Sequence, residues 1–167
     1  MRIKKVVFPV DLAGSSHRIA AQVRSIVDEL NAELHLVIVV ESLEGYNTFF
    51  IPHRSLDLME MEGSALPERH LKEFAEKYFE DLPNVKLAVL RGNPAEQIRK
   101  YIELKGIDMV IIATHDRLPL ERVIFGDVPE QIVRTSPVPV TLINAFVEEA
   151  GQIAAERHAD NQRPRSY

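Results

Sequence analysis

No cysteine and no tryptophan occur among the 167 residues of this chain. Without cysteine there can be no disulfide, no thiolate nucleophile and no cysteine-containing zinc site. A chain of this length buries roughly two-thirds of the surface that its unfolded form exposes, so its stability does not call for such cross-links. A basic field is missing too: 20 Lys and Arg stand against 25 Asp and Glu, a formal charge of −5, and no dense cationic run extends beyond Lys4-Lys5. No nucleic-acid partner is expected on that balance. No apolar run reaches the roughly 18 residues needed to span a bilayer. The run Ile3 to Phe8 behind Met1 has neither the length nor the cleavage site of a signal peptide, so no membrane contact is expected and the expected location is cytoplasmic. There is no G-x4-G-K-[S/T] loop, no G-x-S-x-G elbow around Ser15-Ser16-His17 and no H-E-x-x-H pair. His17, His35, His53, His70 and His158 show no spacing that sets two ligands on one face, and no metal is expected.

What is present is ordinary globular composition, 46% hydrophobic and 27% charged, and one domain is the natural count. Strand-like and helix-like apolar patterns alternate along it, which predicts an α/β fold with a parallel sheet and crossover helices. The strands are read at Ile3–Pro9, Glu33–Val40, about Val85–Leu90, Asp108–Ala113 and Val138–Ile143. Met109-Val110-Ile111-Ile112 has no polar alternation, as a strand covered on both faces requires.

Ile19, Val23, Ile26, Val27 and Leu30 recur at three- and four-residue steps and predict a helix, with Ser15 or Ser16 as its N-cap. Leu71, Phe74, Ala75, Tyr78, Phe79 and Leu82 predict a second, entered near Pro67. Asn93-Pro94-Ala95-Glu96 combines a cap, a proline at the first helical position and a glutamate spaced for a capping box, and Gly106 ends that third helix. A fourth begins near Asp127-Val128-Pro129-Glu130 and must stop before Pro137.

Two segments fall outside the alternation. Residues 41–63 form a loop far longer than the two to six residues usual between strand and helix, and its Phe49-Phe50-Ile51 is a lid, an apolar stretch folded back on the sheet, or an anchor for a protein partner. Residues 145–167 are a polar tail beyond a domain at 1–144; Ala145 to Ala159 reads as a short helix and the remainder as too polar to order itself.

Ligands of open parallel sheets bind outside the carboxyl ends of the strands, where strand order reverses. Pro9-Val10-Asp11 after the first strand and Ala113-Thr114-His115-Asp116 after the fourth are therefore the residues to inspect, with Val40 closing the second strand. Lys4-Lys5-Val6-Val7-Phe8-Pro9-Val10-Asp11, the Gly92-Asn93-Pro94 turn, Asp108 to His115 and Pro137-Val138-Pro139-Val140 together resemble the universal stress proteins over residues 3 to 143. The resemblance implies an open five-stranded, Rossmann-like sheet of order 3-2-1-4-5 with helices on both faces, akin to the adenine nucleotide alpha hydrolases. It also implies a homodimer joined through the Val138–Ile143 edge strand, and ATP or AMP as the ligand class.

Nucleotide-binding members of that family carry G-x-x-G-x9-G-[S/T] after the fourth strand and an aspartate after the first. Asp11 matches the aspartate, which serves either adenosine or its own turn. The motif reads here Ala113-x-x-Asp116, nine residues, then Gly126-Asp127-Val128, so only Gly126 keeps its identity. Ala113 adds a methyl where glycine allowed close approach. Asp116 and Asp127 put carboxylates where polyphosphate would lie. Like unit charges about 4 Å apart repel by about 4 kcal/mol at a surface-like dielectric, and half of that costs tenfold or more in affinity. Asp127, with Glu130 three residues on, also reads as an N-cap that fills the helix end itself. His115 has one neighbouring carboxylate and no nucleophile in sequence reach, and reads as a positioning residue. The sequence thus predicts a non-enzymatic stress-response protein that requires no cofactor and binds ATP weakly or not at all. The alternative is an ATP-binding switch or slow ATPase.

Overall fold

The computed structural model describes residues 2–11, 15–40, 65–114 and 127–145. Five parallel strands, β1 (Lys5–Pro9), β2 (Glu33–Val40), β3 (Val85–Arg91), β4 (Met109–Thr114) and β5 (Val140–Asn144), form one sheet in the order β3-β2-β1-β4-β5. The expected topology is the observed one. Among the described residues four helices connect them: α1 (Ser15–Leu30), α2 (Leu66–Phe79), α3 (Pro94–Lys105) and α4 (Asp127–Thr135).

Three strands start one or two residues later than expected, and β3, β4 and β5 each run one residue further, to Arg91, Thr114 and Asn144. β1 starts at Lys5, not Ile3, and β4 starts at Met109, not Asp108. The Asp108 carboxylate is the cause: Oδ2 accepts the backbone N–H groups of Lys4 at 2.8 Å and Lys5 at 3.0 Å, ahead of the ladder. β5 starts at Val140 because Pro139 has no N–H, and the Ser136 hydroxyl, which donates to the Val138 carbonyl at 2.8 Å, holds the chain in a turn there.

The two sheet faces bury different side chains of the same strands. Val6, Phe8, Leu34, Leu36, Met109 and Ile111 pack under α1 and α2, where Ile19, Val23 and Val27 meet Leu71, Phe74 and Phe79. Val7, Val37, Val110 and Ile112 pack under Ile98, Tyr101 and Ile102 of α3 and Ile132 of α4. Helices therefore cover both faces, and β4 is buried along its length. Val133, on the outward side of α4, is 45% exposed, unlike Ile132.

α3 is built as its sequence predicts at both ends. The Asn93 side chain accepts the Glu96 N–H at 3.1 Å, Pro94 occupies the first turn, and Gly106 closes the helix at φ +61°. The Glu96 carboxylate, however, turns forward to Lys100 Nζ at 2.7 Å, and that ammonium holds its pKa below the ordinary value. The loop at 41–63 with Phe49-Phe50-Ile51 and the tail beyond Ala145 lie outside the described residues, while Ala145 itself is buried in the α1 side of the core.

Candidate functional site

The strand order reverses at β1, which pairs β2 on one side and β4 on the other. The two ladders end unevenly. Against β2 the register runs from Lys5↔Glu33 to Pro9↔Val37, and Val10 N–H still donates to the Val37 carbonyl at 2.8 Å. Against β4 it stops after Val6↔Met109 and Val7↔Val110. Since Val10 faces β2, alternation turns the nitrogen of residue 9 toward β4, and proline has no N–H to make the next rung. Pro9 thus ends the β1–β4 ladder at the carboxyl end of the sheet, the place where ligands enter folds of this topology.

Asp11 leaves β1 at this point and is held firmly. One carboxylate oxygen accepts the Ser15 hydroxyl, the other faces the Ser16 N–H at 3.5 Å, and Asp11 N–H donates to Ser16 Oγ at 2.8 Å. Both serines are buried, at 5% and 1% exposure. They open α1 as described, residues 12–14 lying outside the described residues, and both are tied to Asp11. The Asp11 carboxylate lies against the first described turn of α1 and faces one of its N–H groups, that of Ser16. This end of α1 already holds an anion. His17, one residue on, pairs through Nδ1 with Tyr78 Oη at 3.0 Å.

The remaining predicted residues fall into three groups. Val10, Val40 and Ala113 are buried. The Val40 carbonyl accepts Gly92 N–H at 2.9 Å, so that acceptor is spent on the sheet. The Ala113 methyl belongs to the core cluster under α1. Val128 is half-buried in the first turn of α4, which Asp127 opens. His115, Asp116 and Gly126 lie outside the described residues. Thr114, one of the residues singled out after the fourth strand, is a buried hydroxyl residue closing β4. Sequence reasoning missed the serines' grip on Asp11. A Ser-Ser pair four and five residues past a strand-ending Asp is the signal that could have found it. Among the described residues, no group of three His, Cys, Asp or Glu side chains could hold a metal ion, and no helix is long and apolar enough to cross a membrane.

The model of the universal stress protein family matches residues 2–144. The chain belongs to this family. Universal stress protein MJ0531 of Methanocaldococcus jannaschii is 27% identical over 144 residues, covering 84% of this chain and 81% of that protein. Among solved structures, universal stress protein UspA from Lactobacillus plantarum superposes with a TM-score of 0.66 at 20% identity, covering 86% of this chain and 99% of that one. A universal stress protein in complex with cAMP superposes with a TM-score of 0.62 at 15% identity, covering 87% and 99%. At such identities the structural likeness speaks for the fold, and the fold sets Asp11 of this universal stress protein at the switch point between β1 and β4.

Proposed function

We propose that this universal stress protein is a non-catalytic regulator whose switch-point site takes the adenosine part of a nucleotide and holds polyphosphate weakly or not at all. The observation that carries the reading is the fixed Asp11 carboxylate, with Ser15 and Ser16 bound to it at the end of β1. A pre-set acceptor suits the hydroxyl and amine donors of a nucleoside, because its orientation costs nothing at the moment of binding. The same carboxylate fills the positive end of α1, so that helix end is closed to phosphate. Asp116 and Asp127 oppose polyphosphate further, standing where nucleotide-binding relatives have small or hydroxyl residues. The relative solved with cAMP carries a nucleotide with a single phosphate, in keeping with a site that tolerates little negative charge. The acting unit is a homodimer joined at β5, in the cytoplasm.

Calorimetric titration of adenosine, AMP and ATP with magnesium into the purified protein tests this. The expected order of affinity is adenosine and AMP above ATP. The double change Asp116→Gly and Asp127→Ser is expected to raise ATP affinity at least tenfold and to leave adenosine unchanged. Micromolar ATP binding by the wild type, or no gain in the double variant, refutes the carboxylate argument.

A further inference from the structure

At the opposite end of the sheet from Asp11, a histidine is enclosed between the sheet and a helix with both ring nitrogens engaged. His35 of β2 is 4% exposed. Its Nδ1 lies 2.9 Å from Tyr101 Oη of α3 and its Nε2 lies 2.8 Å from Glu33 Oε1, two residues back on the same face of β2. The rings of His35 and Tyr101 meet edge-on at 5.7 Å.

The hydrogen-bond roles follow from the partners. An ionised carboxylate only accepts, so Nε2 carries the proton and donates to Glu33. Nδ1 then offers a lone pair, and the Tyr101 hydroxyl donates to it. This arrangement is complete only for a neutral imidazole. A proton taken from solvent at Nδ1 turns that nitrogen into a donor, and the Tyr101 hydroxyl must reverse and find another acceptor among apolar neighbours.

The charged groups around the ring come from four elements. Glu33 on β2 favours the imidazolium. Lys5 on β1 and Lys105 on α3 oppose it, and the Lys5 ammonium is fixed beside that helix end by donating to the Lys105 carbonyl at 2.9 Å. Lys86 on β3 stands beside His35 in the ladder. Burial is the largest influence and holds the imidazole below its ordinary pKa of 6.5, against the partial support of Glu33. Burial likewise raises the Tyr101 phenol above its ordinary value, so it stays a hydroxyl donor.

We propose that the His35–Tyr101 pair is an acid-sensitive latch that seats the last turns of α3 on the sheet near neutral pH and releases them on acidification. A group with a depressed pKa in the closed state favours, as pH falls, whatever state frees it. Nothing is lost well above the ordinary imidazole value; the seat weakens as pH drops through that value and goes on weakening until the closed-state value is reached. An imidazole freed at 6.5 limits the loss between about pH 7.5 and about pH 5 to about thirtyfold.

Hydrogen exchange of the full chain at those two pH values, read by NMR as protection factors of the α3 amides from Ile98 to Lys105, tests the latch. In the wild type, protection is expected to fall between about threefold and about thirtyfold on acidification, and His35 is expected to show the Nε2–H tautomer at the higher pH. His35→Gln, a neutral side chain with one donor and one acceptor, should abolish most of the fall. Glu33→Gln should steepen it, because the imidazolium loses its anion. Equal protection at both pH values in the wild type, or an undiminished fall in His35→Gln, overturns the proposal. Should His35→Gln not fold, an Nδ1–H tautomer at the higher pH, or a wild-type fall short of the thirtyfold limit that Glu33→Gln does not deepen, overturns it as well.

Discussion

On the proposed function Asp11 has two roles, and its substitutions separate them. As the acceptor for Ser15 and Ser16 it supports the first turn of α1, a role whose loss costs about 1–2 kcal/mol at helix N-termini. Asp11→Ala is accordingly expected to lower unfolding free energy by about that amount in urea denaturation. Asp11→Asn keeps a side-chain acceptor and should recover most of the stability. It should not recover adenosine affinity, since the charge that strengthens a hydrogen bond from a nucleoside is gone. Equal loss of affinity and stability across both variants would mean that Asp11 acts on α1 alone. The double role also explains why the residue's meaning was half hidden in the sequence. Position marked Asp11, but Ser15 and Ser16 looked like caps themselves, and only the hydrogen bonds show that Ser15 donates to the Asp11 carboxylate while Ser16 Oγ accepts the Asp11 N–H.

At the scale of elements, legibility followed how many independent signals met in one place. α3 carries a cap, a proline, a left-handed glycine and an apolar stripe, and both of its ends fall where the sequence puts them. The first residues of β1 and β4 were misplaced because a side chain just ahead of β4 reaches some hundred positions back along the chain: Asp108 holds Lys4 and Lys5, a contact no local pattern contains. The turn into α3 yields a sharp test. Gly92 sits at φ +124°, and a Cβ there would meet Gln97 Nε2 at 3.0 Å. The glutamine tip can shift; the backbone angle cannot be relieved so cheaply. Gly92→Ala is expected to cost about 1–3 kcal/mol in chemical denaturation. Gln97→Ala in the same background should restore only a small part of it.

The whole molecule presents two sheet edges of unlike character. β3 carries Lys86 and Arg91 on its exposed edge, and charges of this kind discourage pairing with another chain. β5 reads Val140-Thr141-Leu142-Ile143-Asn144, has no charge, and is half-buried for most of its length in the single chain. An uncharged apolar edge of this sort is normally covered, and in the proposed homodimer a second copy of β5 related by a two-fold axis would cover it with the same side chains it exposes. Leu142→Lys would force ammonium groups from both copies into such a seam, so the variant should sediment as a monomer at concentrations where the wild type is a dimer. Leu87→Lys on β3, where Leu87 is already 44% exposed, should leave the assembly unchanged. A wild type that sediments as a monomer at high micromolar concentration, or a dimer broken by Leu87→Lys and spared by Leu142→Lys, would move the interface away from β5. Adenosine titrated into monomeric Leu142→Lys then decides whether the switch point and the β5 edge communicate, since Thr114 at the switch point is paired in register with Asn144 at the end of β5. Unchanged affinity assigns ligand binding to the single chain, and a tenfold loss assigns it to the assembled pair.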